Sequence, residues 1–157
     1  MAAFEAKVLT VSDGVVAGTR EDLSGRELVR VLQEAGSTVV DTDVCSDGAE
    51  TVEEVLRRMS TGFAGVIVTT GGTGFAPRDQ TPEGTRAVIE REAPGLAEAM
   101  RGVNPLGRLS RGVVGIAGRC IIVNTPGSPK GCAEQLGAII DVLGHACALL
   151  AETPTEH

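Results

Sequence analysis

The sequence predicts an α/β fold, a three-layer α/β/α sandwich built on a mostly parallel sheet with one hairpin strand. Strand-like and helix-like hydrophobic periods alternate along the chain, as such a fold requires. The run AGVIVTT at 64–70 is apolar at its centre, as a parallel strand covered on both faces must be. Leu136, Ile139, Ile140, Leu143, Cys147 and Leu150 keep one helical spacing over about four turns, predicting a single continuous last helix. With 157 residues, 42% of them hydrophobic and 22% charged, the chain can fill one core. Residues 1–157 therefore read as one domain, without repeat, linker or low-complexity segment.

The elements follow in order. KVLTVS at 7–12 reads as a buried strand, and the loop over 13–24, with Gly14, Gly18 and several charges, reads as mobile. A helix over 25–35 carries Leu28, Val29, Leu32 and Ala35 on one face; Ser24 is its expected cap, and Gly36 stops it. TVVDTDVC at 38–45 is a second strand, and Val52, Val55, Leu56 and Met59 mark a helix over 50–60. After the third strand at 64–70, Pro82 opens a helix with Val88 and Ile89 inward, and a short helix covers 95–102. Gly112–Ala117 and Cys120–Asn124 form two strands around Gly118–Arg119, the one hairpin signal.

Composition excludes several functions. Tyr and Trp are absent and Phe occurs three times, which leaves no aromatic platform for stacking bases. A net charge of -7 with no basic stretch argues against a nucleic-acid partner, while small anionic metabolites remain open. No apolar run approaches the roughly 20 residues of a membrane span. The start, MAAFEAKVLTVSD, lacks the features of a signal peptide, so a cytoplasmic location is expected. Cys45, Cys120, Cys132 and Cys147 form no C-x-x-C, and His145 and His157 are the only histidines. Neither a zinc site nor a disulfide is expected; the cysteines read as buried thiols in a reducing compartment.

In a parallel sheet, ligands bind outside the carboxyl ends of the strands, which directs attention to CSDGAE, TTGGTGFAPRDQTPEG and NTPGSPKG. Gly71, Gly72 and Gly74 let a backbone approach an anion with its N–H groups; a tight turn explains one such glycine and three poorly. The loop lacks the G-K-[ST] of a Walker loop, and Pro77 stands where the dinucleotide fingerprint has its third glycine. Asp47 and Asp79 can together hold one Mg²⁺, which takes one or two carboxylates plus phosphate oxygens and waters. As alternatives, Asp79 can cap a helix and Asp47 can form an Asx-turn before Gly48. Lys130, beside a turn that opens a helix, is either a phosphate ligand or a solvated side chain. Ser110 and Arg111 either add a cation or belong to a plain loop.

TTGGTG at 69–74, DQTPE at 79–83, PGLAE at 94–98, LSRG at 109–112 and PGSPKG at 126–131 occur in this order over nearly the whole chain. In this it resembles the molybdenum-cofactor biosynthesis proteins that handle molybdopterin, the bacterial molybdopterin adenylyltransferases and their close relatives. The resemblance implies transfer of AMP from ATP to the terminal phosphate of molybdopterin, with release of pyrophosphate. It carries the essential acidic positions onto Asp47 and Asp79. It implies substrate binding by Ser12 and Asp13, by Thr70, Gly71, Gly72, Thr73 and Gly74, and by Thr81, Pro82 and Glu83. The same holds for Ser110 and Arg111, and for Pro126, Gly127, Ser128, Lys130 and Gly131. It also implies a homotrimer and a downstream molybdenum-insertion protein as partner.

Two other readings compete. A non-catalytic molybdopterin carrier of the same family predicts binding without product. A phosphorylation-switched signalling domain has acid at the first strand (Asp13) and lysine after the last (Lys130), but needs an acceptor Asp at the end of strand three, where the sequence has Thr69-Thr70-Gly71.

Overall fold

The computed structural model describes residues 3–155; Met1, Ala2, Glu156 and His157, one of the two histidines, lie outside the described residues. The elements run β1 (Glu5–Val11), α1 (Asp13–Val16), α2 (Leu23–Glu34), β2 (Thr38–Cys45), α3 (Ala49–Ser60), β3 (Gly65–Thr70) and α4 (Thr81–Arg86). Then come β4 (Arg91–Glu92), α5 (Pro94–Arg101), a 3₁₀ helix (Pro105–Leu109), β5 (Val114–Ala117), β6 (Cys120–Thr125), α6 (Pro129–Gly137) and α7 (Ile140–Leu150). The sheet order is β2-β1-β3-β6-β5-β4. The first four strands in that order are mutually parallel, and the β5–β6 hairpin and β4–β5 pair are antiparallel.

Alternation along the strands divides the core in two. Val8, Val66, Val68 and Val123 face Leu28, Leu32, Leu136 and Leu143 of α2, α6 and α7. Leu9, Ile67 and Ile122 face Val52, Leu56 and Met59 of α3. β3 and β6 are buried along their whole length, and because β1, β2, β3 and β6 run parallel their carboxyl ends open at one edge of the sheet. Lys7 lies over the Phe63 ring and donates to the Met59 carbonyl at 2.9 Å, which seats its charge at the end of α3. Burial pushes the Cys45 and Cys147 thiols up to about 11 and those of Cys120 and Cys132 up to about 12, so all four stay protonated.

Four local expectations are corrected. The cap of α2 is Asp22, whose carboxylate accepts from Gly25 N at 3.0 Å; Ser24 sits inside the first turn. The 13–24 segment contains one helical turn, α1, capped by Ser12 through Val15 N. The helix opened by Pro82 ends at Arg86, and Val88 is buried beyond it on the way into β4, a strand of two exposed charged residues with no apolar signal. The continuous last helix is two, bent by 60° between α6 and α7. The break follows Gly137, a poor helix former, and lets Ile139 turn into the core without disturbing the apolar spacing. No single helix among the described residues is long and apolar enough to cross a membrane.

Candidate functional site

The carboxyl ends of β1, β2, β3 and β6 frame one cleft of ≈ 1080 Å³. Its floor is the segment after β3, and that segment is bonded from below. Gly71 N donates to the Thr125 carbonyl at 3.1 Å, and Thr70 Oγ1 donates to the Pro126 carbonyl at 2.8 Å. Thr81, fully buried at the start of α4, donates through Oγ1 to the Gly71 carbonyl at 2.9 Å and through N to the Gly72 carbonyl at 3.0 Å. Two of the glycines are required sterically. Gly71 has φ +100° and a Cβ there would lie 2.2 Å from the Val11 carbonyl oxygen. Gly72 has φ +69° and a Cβ would lie 2.2 Å from Thr81 Oγ1. The tight turn thus accounts for two of the three glycines rather than one. With the carbonyls held below, the N–H groups of Gly72, Thr73 and Gly74 donate to no group among the described residues and remain available to an anion.

Arg111 ties this loop together. Its Nε donates to the Gly74 carbonyl at 2.8 Å, its Nη2 to the Asp79 carbonyl at 2.5 Å, and its Nη1 to Glu83 at 2.8 Å. Its backbone N donates to the Thr73 carbonyl at 2.8 Å. The guanidinium beside Glu83 holds that carboxyl below its ordinary value. Arg111, Glu83, Thr81 and Pro82 accordingly lie under or behind the loop and do not line the cleft, whereas Ser110 does.

The two carboxylates singled out by the sequence both line the cleft. Asp79 accepts from Ala76 N at 3.1 Å, and the cap position of α4 belongs to Gln80, so Asp79 is no helix cap. Asp47 forms no Asx-turn. Its Oδ2 accepts from Asp13 N at 3.0 Å, while Asp13 Oδ1 accepts from Asp47 N at 3.1 Å, a reciprocal pair joining the loops after β1 and β2. Arg78 grips this pair: Nε and Nη2 donate to Asp13 at 2.7 and 3.0 Å, and Nη2 also donates to the Asp47 carbonyl at 3.0 Å. Arg78 holds the Asp13 carboxyl below its ordinary value. Desolvation raises that of Asp47, with repulsion from Asp13 and Asp79 adding to it. Asp13 is spent on this clamp and does not itself line the cleft; Ser12 does.

Asp47 and Asp79 each have one carboxylate oxygen engaged by a backbone N–H and the other without a donor among the described residues. That pair suits a cation that completes its shell with phosphate oxygens and water, as Mg²⁺ does. No cluster of three or more His, Cys, Asp or Glu side chains suited to a metal occurs among the described residues. The opposite wall is the start of α6. Ser128 caps it by accepting from Gly131 N at 3.0 Å, and Pro126, Gly127 and Lys130 line the cleft beside it. The Lys130 side chain is 82% exposed and lies 3.7 Å from Glu134, so its charge is free to move toward a ligand.

Sequence reasoning missed Arg78, because a lone arginine in a loop carries no spacing signal. It also missed Arg20, Leu23, Asn104, Leu106 and Gln135, which line the cleft from elements that carry no glycine-rich motif.

Residues 7–145 match the family model described as a probable molybdopterin binding domain. The chain is 38% identical over 152 residues, 92% of its length, to the molybdenum cofactor synthesis protein cinnamon of Drosophila melanogaster, and spans only 25% of that protein. It is 35% identical over 150 residues to a molybdopterin adenylyltransferase of Helicobacter pylori strain J99, covering 91% of this chain and 85% of that one. A crystal structure of the molybdopterin biosynthesis enzyme MoaB from Thermus thermophilus superposes with a TM-score of 0.89 at 43% identity, over 98% of this chain and 99% of that one.

Proposed function

The chain belongs to the molybdopterin-binding domain family of molybdenum cofactor biosynthesis, and from that premise we propose that it is a molybdopterin adenylyltransferase. In the reaction, a terminal phosphate oxygen of molybdopterin attacks the α-phosphorus of ATP. The bond from that phosphorus to the bridging oxygen of pyrophosphate breaks, and pyrophosphate leaves with the electron pair. The observation that carries this reading is the pairing of Asp47 and Asp79 in one cleft with the unengaged amides of Gly72, Thr73 and Gly74. At ≈ 1080 Å³ the cleft is large enough for two substrates, a single small ligand filling about 300–1,000 Å³.

A phosphate monoester is already an anionic nucleophile near neutral pH, so the task is to align two phosphate groups and offset their repulsion. Asp47 and Asp79 would hold Mg²⁺, which supplies positive charge to the triphosphate. The glycine-loop amides hold phosphate oxygens at fixed positions, and Lys130 contributes a mobile cation from the other wall. Ser12 and Thr70 line the cleft between these groups. On this reading residues 1–157 form one unit acting as a homotrimer in the cytoplasm and passing its product to a downstream molybdenum-insertion protein.

The test is molybdopterin-dependent release of pyrophosphate from MgATP. Asp79→Asn is expected to lower turnover by about 10²–10³-fold, the usual loss for one electrostatic group at a transition state, with molybdopterin binding kept. Asp47→Asn is expected to behave alike. Pterin binding without pyrophosphate release from the unaltered chain would move it to the carrier class.

A further inference from the structure

The groups used so far occupy the glycine loop and the first turn of α6, and leave the wall between α2 and α6 without a role. Eleven polar residues are buried among those described, and only Ser24, Thr73 and Gln135 have side chains with no hydrogen-bond partner there. All three line the same cleft. Thr73 belongs to the glycine loop, but Ser24 and Gln135, 8% and 5% exposed, belong to no motif. No side-chain nitrogen or oxygen among the described residues is sealed from solvent without a partner. The residual exposure of Ser24 and Gln135 is therefore at the hydroxyl and the carboxamide, opening on the cleft.

This wall is fixed. Leu28 and Leu32 of α2 pack with Cys132 and Leu136 of α6 in one core cluster, which fastens α2 to α6; the Cys132 thiol has the Pro129 carbonyl at 3.2 Å and the Ser24 carbonyl at 3.6 Å as alternative acceptors. Gln135 stands four residues after Gly131 and seven after Ser128, on the face of α6 that meets the cleft. Asn104 Nδ2 donates to Glu134 Oε2 at 3.3 Å and secures the neighbouring 3₁₀ helix. That helix brings Leu106 to the cleft, and α2 brings Leu23; both are exposed apolar side chains. Polar groups on a cleft wall that no protein group engages keep their hydrogen-bonding capacity for a ligand, which exchanges with the solvent they meet in the empty protein.

We propose that Gln135 and Ser24 determine specificity for the flat nitrogen-heterocyclic head of a substrate. A carboxamide offers a donor beside an acceptor, and a hydroxyl can take either part, which suits the edge of a fused ring carrying an amino or oxo group next to a ring nitrogen. Leu23 and Leu106 supply apolar contact to the ring. The proposal rests on the adenylyl-transfer reading, in which such an edge comes from two sources, the pterin and the adenine.

Gln135→Met keeps length and volume while removing both polar atoms. The full chain and this variant are titrated with molybdopterin and with MgATP separately, assayed for kcat and KM, and melted without ligand. Expected are a tenfold or larger rise in Kd and KM for one of the two, less than twofold change for the other, an unaltered kcat and a melting temperature that holds or rises. Ser24→Ala is expected to shift the same substrate. The substrate affected identifies which ring sits at Gln135. Unchanged affinity for both, or equal weakening of both with a lower melting temperature, overturns the proposal. An unaltered chain that binds both without releasing pyrophosphate overturns the reaction alone, because the affinities still decide the role of Gln135; one that binds neither overturns both.

Discussion

The two walls of the cleft differ in how their side chains are held, although the glycine-loop wall keeps free backbone amides of its own. On the glycine-loop wall, Arg111 reaches three acceptors, Arg78 joins two loops through Asp13 and Asp47, and Thr81 takes two carbonyls. On the α6 wall, Lys130 is almost wholly solvated and the Gln135 carboxamide has no partner among the described residues. The first wall was assembled during folding and stands ready where charge must be placed accurately. The second keeps its capacity in reserve for the ligand. Preorganised groups accelerate a reaction because nothing has to reorient as charge develops, and unpaired groups discriminate because only the right partner relieves them.

Removing the brace should break this contrast most visibly. Arg111→Ala leaves the Gly74 and Asp79 carbonyls and the Glu83 carboxylate without their donor, so a stability loss of about 2 kcal/mol is expected in urea denaturation, together with a fall in kcat. Arg111→Lys should recover little, since an ammonium cannot fork to three acceptors. A subtler change is expected at Arg78. Because desolvation raises the Asp47 carboxyl, its protonated form persists to higher pH, and turnover is expected to fall on the acid side at a higher pH than an unperturbed aspartate would set. Arg78→Gln removes a cation that favours the charged form, so the acid limb of the kcat/KM profile should move to still higher pH. A limb that stays in place would separate Arg78 from Asp47. The smallest structural effect is expected at Lys130. Lys130→Ala should leave the denaturation midpoint within about 0.5 kcal/mol of the original while raising KM for a phosphate-bearing substrate.

Much of this was legible in the sequence, and the limits have physical causes. The apolar runs of β3 and β6 and the β-branched Val- and Thr-rich stretches of β1 and β2 marked four strands, and the loops after them contain Asp47, Asp79 and the glycines. β4 was not, because a two-residue edge strand of exposed Arg and Glu has neither run nor alternation. The bend after Gly137 was hidden because the same residues face the core before and after it. Arg111 was visible as a cation but not as a brace, since two of its three side-chain partners are backbone carbonyls, and a carbonyl leaves no trace in the residue letters. Ser24 shows the reverse error. Its chemistry suits a cap, and a neighbouring aspartate already held that post, supported by Thr10 donating to its carboxylate at 2.9 Å.

The sheet order has a consequence for the two open edges of the sheet. One margin of the sheet is β2, where Asp41 and the ion pair of Asp43 with Arg58 place charged groups along the open backbone; the other is β4, two charged residues long. Charge and brevity at a margin discourage a neighbouring molecule from adding its own strand. Both edges of the sheet are thereby poor templates for a further strand.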